Sequence, residues 1–484
     1  MKLLLINPYF GQVSNNTEGA THSPPLGLGF IATYVRDHTD CDVRIIDPVP
    51  QELTEREVLD DVMDADFVGL SVYTDTRFHC FDLAKKIKEI NPKCKLIIGG
   101  VHAFFLSELI LEHYPFIDLV VRGEGEETVV EIVQGRAYGD ILGVTWKNAE
   151  GKIIRNPDRP LIKDIDPLYI DYELLPDMSM YKTDIDAPIG LKRLKTAYMI
   201  ESRGCPFKCT FCANQHWKGR WRTVSPVKTV EKMSHLVKKY GIEYFRFYDD
   251  LFTANKKRVF EFCEALKGKK LDIKFRVLVR GDTSREVLEA LKEVGCESVG
   301  IGIESGSDKI LKRIRKGVTR QQLTDTIKMC QEVGLWVVGS LIVSLPDESK
   351  EDFKETLSLV PLPDNIISYI FHINPGTTFY EELRERGEIN DHVWFSRNRY
   401  EGLIIYCKEN FPSAPLELQK AIWLARYRRY YFFIHRPLRT IKQYGLFTGL
   451  LVLIFTVMDI LFKGRLYDIA YKYRSIYRKF TMKK

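Results

Sequence analysis

Cys205-Pro206-Phe207-Lys208-Cys209-Thr210-Phe211-Cys212 gathers three of the chain's ten cysteines into eight consecutive residues. Directly before it, 196–201 reads as a short buried strand. Five further strand patterns follow at 244–248, 273–278, 298–303, 336–343 and 366–373, with helical patterns between them. Six βα units in series predict a partial (β/α)6 barrel of the TIM type, with its functional groups on the loops after the strands. The cysteines occupy the first of those loops. Three thiolates on a compact loop can hold an iron–sulfur cluster while one iron keeps no protein ligand. A zinc knuckle completed by a distant ligand such as His216, or a set of buried structural thiols, is the competing reading.

Residues 1–140 alternate in the same way. Strand patterns at 2–7, 43–47, 67–72, 95–99 and 119–122, and striped helices at 28–37, 54–62 and 81–90, predict an α/β, doubly wound, Rossmann-like sheet. Ligands of such sheets bind at the carboxyl edge of the strands. Three stretches fall there: Ser71-Val72-Tyr73-Thr74, Gly99-Gly100-Val101-His102-Ala103 and Arg122-Gly123-Glu124-Gly125-Glu126. Their glycines allow close backbone approach, and Gly100 is expected where a side chain would meet the ligand. The stretch 141–195 carries Pro157, Pro160, Pro167, Pro176 and Pro188, which predicts a short hairpin and a linker. Beyond about 400 the chain turns aromatic and basic, as a separate helical tail.

The composition excludes other classes. With 45% hydrophobic and 28% charged residues over 484 positions, the chain is neither disordered nor a polytopic membrane protein. A surplus of six positive charges does not call for nucleic acid as a partner. Ten cysteines in this length point to a reducing compartment rather than a disulfide scaffold. The apolar start Met1–Ile6 meets Asn7-Pro8 too early for a signal peptide. In the tail, 446–462 has Asp459 as its only charge and basic flanks, borderline for a span. Aromatic-basic stretches at 426–433 and 471–477 suit peripheral contact with an anionic membrane surface, so the expected location is the cytoplasm, at the inner face of the membrane.

The Cys-x3-Cys-x2-Cys loop, with Phe211 as the aromatic before its last cysteine, resembles the radical SAM superfamily. The resemblance implies a [4Fe–4S] cluster on Cys205, Cys209 and Cys212, S-adenosyl-L-methionine on the open iron, and release of a 5′-deoxyadenosyl radical on reduction. By the same resemblance, Asp249 and Asp250 in Tyr248-Asp249-Asp250 take the methionine ammonium. Glu304 in Gly302-Ile303-Glu304-Ser305-Gly306 accepts from the ribose hydroxyls, and Arg280 lies near the cofactor carboxylate. Gly339-Ser340-Leu341-Ile342-Val343-Ser344-Leu345-Pro346 resembles the adenine-binding strand, with Ser344 where the family has a second glycine. Asn374-Pro375-Gly376-Thr377 matches a turn of this branch.

The first domain resembles the cobalamin-binding domains that precede the barrel in one radical SAM class, which includes cobalamin-dependent methyltransferases and anaerobic magnesium-protoporphyrin monomethyl ester cyclases. Its implied cofactor residues are Ser71, Thr74, Gly99, Gly100, Val101, His102, Gly123 and Glu124. No Asp-x-His-x-x-Gly follows the second or third strand, so His102 is expected at a backbone or nucleotide-tail contact rather than on cobalt. His22, before the first helix, contacts the corrin or shapes its loop. The organisation expected is a cobalamin-binding domain at 1–140, hairpin and linker at 141–195, a radical SAM core at 196–400 and a helical, membrane-associated region at 401–484.

The leading reading is a radical SAM C-methyltransferase acting on an unactivated carbon of an apolar or lipid-like substrate, served by a reductant such as flavodoxin or ferredoxin. Cobalamin would carry the methyl group and a second S-adenosylmethionine the radical. Oxidative cyclisation or carbon–carbon bond formation with the same cofactors is the main rival. RNA methylthiolation would need Cys41, Cys80 and Cys94 to form a second cluster, and a cobalamin or iron–sulfur sensor would leave the open iron incidental.

Overall fold

Runs such as Leu3-Leu4-Leu5-Ile6 and Leu96-Ile97-Ile98 leave no polar face, so the strands they form must be covered on both sides. The computed structural model describes residues 1–8, 23–181, 194–217 and 219–397. The expectations placed on His22, the tail 401–484 and its apolar segment 446–462 lie outside the described residues.

Strands β1 (Lys2–Ile6), β2 (Asp42–Ile46), β3 (Phe67–Ser71), β4 (Lys95–Gly99) and β5 (Leu119–Val121) form a parallel sheet in the order 2-1-3-4-5. Helices α1 (Leu26–His38) and α5 (Glu126–Val133) cover one face; α2 (Glu55–Asp61), α3 (Arg77–Ile90) and α4 (Val101–His113) cover the other. A capping box between Thr54 and Glu57 fixes the start of α2. The segment read as a hairpin and linker does more than connect. Its strands β6 (Val144–Lys147) and β7 (Ile153–Arg155) pair antiparallel beyond β5 and extend the sheet to seven strands.

The second sheet is the partial barrel. Strands β8 (Thr196–Met199), β11 (Tyr244–Phe247), β12 (Lys274–Val279), β13 (Cys296–Glu304), β14 (Trp336–Val343) and β15 (Asn365–Ile370) run parallel in that spatial order. Helices α6 (Pro226–Tyr240), α7 (Lys256–Lys269), α8 (Arg285–Glu293), α9 (Asp308–Arg313), α10 (Arg320–Val333), α11 (Lys350–Leu359) and α12 (Thr378–Glu385) fill the connections. Left-handed glycines Gly241 and Gly334 end α6 and α10. The sequence pattern at 196–201 is not one strand. It breaks after Met199, and a short β9 (Ser202–Arg203) pairs antiparallel with β10 (Arg222–Thr223), closing the base of the cysteine loop. Among the described residues no helix is long and apolar enough to cross a membrane.

The two sheets share one continuous apolar cluster that runs from the α3–α4 face of the first into the barrel helices. Residues after the last barrel strand make the join. His113 stacks on Phe395 at 4.0 Å, and Arg77 donates from Nε to the Trp394 carbonyl at 2.9 Å. In the Asn374-Pro375-Gly376-Thr377 turn, Gly376 has φ +74° and a Cβ there would overlap the Phe105 ring of α4. The glycine is thus a packing requirement between the sheets. Gly376→Ala should destabilise the protein by about 1–3 kcal/mol, seen as a lower urea midpoint. In a double-mutant cycle with Phe105→Ala the two changes should be non-additive by at least about 0.5 kcal/mol; additive effects would show that the ring and the turn do not meet.

Candidate active site between two sheet edges

The cysteine loop is held at three places. Gly204 enters it at φ +83°, where a Cβ would overlap the Arg220 carbonyl, so only glycine lets the two stems approach this closely. The Thr210 amide donates to the Ile314 carbonyl at 3.0 Å. The Arg280 guanidinium lies 3.6 Å over the Phe207 ring. Phe211 is half-buried against the continuous core, and Cys205, Cys209 and Cys212 are half-buried on the loop. Burial pushes the Cys205 and Cys209 thiols up and that of Cys212 to about 12, so a metal must displace their protons. Among the described residues no three such side chains converge on one point as a single ion requires. A cubane cluster takes each thiolate on a different iron, and three donors spaced along a pinned loop suit it.

Glu304 ends β13 at φ +62°, a left-handed conformation that costs a non-glycine residue of order 1–3 kcal/mol. Its Oε1 accepts from Lys316 Nζ at 2.8 Å, and Ser340 Oγ lies 3.5 Å from Oε2. Gly302 leaves room for the pair, since a Cβ there would stand 2.6 Å from Lys316 Nζ. Burial opposes the Lys316 charge, but Glu304 and the nearby Cys209 outweigh it and hold its pKa above the ordinary lysine value. Sequence reasoning misses Lys316: it lies twelve positions beyond Glu304 in a basic run with no distinguishing pattern. Arg280 ties into the same cluster, donating to the Lys316 carbonyl at 2.5 Å and to Asp282 at 3.2 Å. Ser344 has φ +63°, so it keeps the left-handed turn expected of a glycine, and its amide donates to Glu348 at 2.9 Å.

The acidic pair divides. Asp249 is fully buried and accepts from Ser202 Oγ at 2.5 Å and the Glu201 amide at 3.3 Å, with Arg258 as its nearby cation. It ties the end of β11 to the segment after β8. Asp250 is exposed, and its charge acts on Cys205 and Cys212. Glu201 joins the buried network, 3.2 Å from Lys232, with its carboxyl pushed to about 7 by burial.

On the first sheet, the strand order reverses between β1 and β3, and the crevice at that point is where such sheets bind ligands. Ser71 is half-buried at the end of β3. Gly99 and Gly123 leave space: a Cβ on Gly99 would find its nearest neighbour 3.8 Å away, and one on Gly123 would meet nothing within 4 Å. Gly100 is different from the expectation. It caps α4 at φ +102°, and a Cβ would stand 2.7 Å from the Val72 carbonyl oxygen, so the glycine serves backbone packing and not ligand clearance. Val101 is half-buried in the first helical turn that follows. The His102 ring is fully buried, Nδ1 is 3.2 Å from Thr74 Oγ1, and Trp394 meets it edge-on at 6.1 Å. Burial and then Arg77 push its pKa to about 3, as for a neutral core histidine. Thr74 is occupied by this contact and by Arg77, which donates to its carbonyl. Cys41 packs on one face of the sheet, and Cys80 and Cys94 on the other, so the three cannot share a cluster.

Glu124 is buried at the end of β5. It pairs with Arg203 at 2.6 Å and Arg222 at 2.8 Å, and accepts from the Ile162 amide at 2.7 Å. Glu124 follows β5, and the two arginines lie in the segment after β8. At the opposite side Asp75, after β3, lies 3.9 Å from His372, after β15. The carboxyl edge of the first sheet therefore faces the carboxyl edge of the barrel.

This arrangement has relatives. Residues 16–133 match the B12 binding domain and residues 199–360 the radical SAM superfamily. An uncharacterized methyltransferase of Pyrococcus horikoshii is 39% identical over 394 residues, covering 79% of this chain and 83% of that protein. The chain belongs to the B12-binding radical SAM family. It is a radical SAM enzyme, and its cofactors are a [4Fe–4S] cluster, S-adenosyl-L-methionine and cobalamin. The anaerobic magnesium-protoporphyrin IX monomethyl ester cyclase of Rubrivivax gelatinosus is 28% identical over 405 residues, 81% of this chain and 71% of the cyclase. Among solved structures, the radical S-adenosylmethionine methyltransferase TsrM from Kitasatospora setae, with cobalamin and a [4Fe–4S] cluster bound, shares the fold with a TM-score of 0.64 at 16% identity, covering 80% of this chain and 75% of that one.

Asp47, after β2, is buried and accepts from Tyr181 Oη at 2.9 Å and Asn7 Nδ2 at 3.1 Å; burial pushes its carboxyl to about 6. A carboxyl raised above its unfolded value of 3.8 contributes stability below that pH and loses it as the pH rises through about 6. Between pH 5 and 7.5 the urea midpoint of Asp47→Asn should therefore gain on that of the wild type. A difference that does not change with pH would assign Asp47 an ordinary pKa.

Proposed function

We propose that the enzyme transfers a methyl group to an unactivated carbon of an apolar or lipid-like substrate. The observation that carries this reading is the apposition of the two carboxyl edges, which turns the first sheet's ligand crevice toward the cysteine loop. When bound, the cluster and S-adenosylmethionine supply a carbon-centred radical and cobalamin supplies a transferable methyl group.

The chain's own residues then have distinct tasks. Cys205, Cys209 and Cys212 hold the cluster through three thiolates. Glu304, paired with Lys316, accepts from the ribose hydroxyls, and Asp250 takes the methionine ammonium. Arg280 presents a guanidinium fixed by Phe207 and Lys316 to the cofactor carboxylate. Ser71, Gly99, Val101 and Gly123 border the cobalamin crevice. A cavity of about 550 Å³ beside β8 sets an apolar patch of Phe30, Ile170, Tyr172, Met199 and Ile200 next to Asp166, Lys228, Glu231, Lys232 and His235, a mixed wall that suits a lipid-like substrate with a polar end. The methyltransferase names of relatives, including the Pyrococcus protein, support methyl transfer over other radical outcomes. Ring closure with the same cofactors is the second reading, supported by the cyclase relative. We place the enzyme in the cytoplasm, served by a flavodoxin or ferredoxin, with its basic aromatic tail at the membrane's inner face.

Anaerobically reconstituted protein should bind iron and cobalamin and cleave S-adenosylmethionine when reduced. Alanine at all three cysteines should remove the iron and the cleavage. Glu304→Ala should keep the cluster but weaken S-adenosylmethionine binding by roughly 10- to 100-fold, the cost of a charged acceptor lost from a buried site. Full iron content in the triple variant, or unchanged affinity in Glu304→Ala, would overturn those roles. Mass spectrometry of lipid extracts from wild-type and Cys209→Ala strains separates the chemistries: added methyl groups support transfer, and loss of hydrogen without added carbon supports ring closure.

A further inference from the structure

We propose that Glu124 is a positioning residue that couples the cobalamin crevice to the cluster loop, so that occupancy of one site tightens binding at the other. The inference rests on the cofactor assignments made above and goes beyond them. Arg203 and Arg222 are directly paired across the β9–β10 ladder, one on each stem of the loop that carries the cysteines. Both guanidiniums close on the same carboxylate, at 2.6 Å and 2.8 Å. A displacement of Glu124 thus moves both ends of the cysteine loop, and Cys205 is two residues from Arg203.

The carboxylate itself is poised by the cobalamin side. Gly123 precedes it in a left-handed conformation with open space around it, while a Cβ on Gly125 behind it would stand 2.9 Å from Ile31 of α1. The Gly123 side of this turn is therefore open to a ligand, while the Gly125 side is fixed to the sheet and the Glu124 carboxylate between them is held by its partners. Glu124 and Glu126 are nearly fully buried, and Arg203 and Arg222 are largely so. Burial opposes the Glu124 charge, but Arg222 and Arg203 hold its pKa below the ordinary glutamate value. Charges so placed are strongly directional, because no water can substitute for a misplaced partner. Glu126 provides the internal comparison: it pairs with Arg203 alone, at 2.5 Å, and so grips one stem.

The test titrates S-adenosylmethionine into reduced holoenzyme, reading the change in the cluster's electron paramagnetic resonance spectrum, with and without hydroxocobalamin. In the wild type, cobalamin should tighten S-adenosylmethionine binding by roughly 5- to 100-fold, the range of typical coupling free energies. Glu124→Gln should reduce that factor to about two or less while iron content and corrin absorption are retained, and Glu126→Gln should keep most of it. Should Glu124→Gln fail to fold, Arg222→Lys, which keeps the charge but loses the planar fork, decides with at least a threefold smaller factor than wild type. Wild-type binding of both cofactors without coupling, or equal coupling in wild type and Glu124→Gln (or, if that variant does not fold, Arg222→Lys), overturns the proposal and leaves the cofactor assignments standing. Failure of the wild type to bind cobalamin or iron would instead overturn the assignments, and this inference with them.

Discussion

Two guanidiniums on one buried carboxylate join the halves of this enzyme. Glu124 takes Arg203 and Arg222 together, and the two arginines belong to the paired stems of the cysteine loop. Burying such charges gives little net stability, because desolvation offsets most of the attraction. What it supplies is a unique geometry, since any other arrangement would leave a charge in the interior without a partner. The loop cannot drift relative to the first sheet without breaking that arrangement.

The rest of the interface follows the same division between stability and register. The continuous apolar cluster shared by both sheets supplies the favourable free energy of association, which is not directional. Direction comes from contacts that admit few alternatives: Gly376 against Phe105, Arg77 on the Trp394 carbonyl, and Asp75 opposite His372. Together they hold two ligand-binding edges face to face. In the proposed reaction, a species formed at one edge would face a group held at the other, which would favour orientation.

Much of this is legible in the amino-acid sequence. The apolar runs locate all five strands of the first parallel sheet and the six of the barrel, because strands covered on both faces are built mainly from apolar residues. The spacing of Cys205, Cys209 and Cys212 marks the loop, and glycines at 99 and 123 mark open positions on the sheet edge. The protein partners of the candidate residues are not legible in the same way. Asp249, Thr74, His102, Glu124 and Gly100 all follow strands and so read as ligand-facing, yet each is committed to a protein partner: Ser202 lies 47 positions from Asp249, His102 28 from Thr74, and Arg222 98 from Glu124. Lys316 is invisible for the converse reason, since only its distance to Glu304 distinguishes it from the other basic residues around it.

By itself the sequence determined the element order, the parallel sheets and the chemistry of the cysteine loop, because these depend on local periodicity and on the valence of residues close in the chain. Tertiary structure alone decided which protein partner each acidic and imidazole group meets. A buried charge must find its counter-charge wherever the fold brings one, and the chain places Arg222 beside Glu124 only after the two sheets have docked.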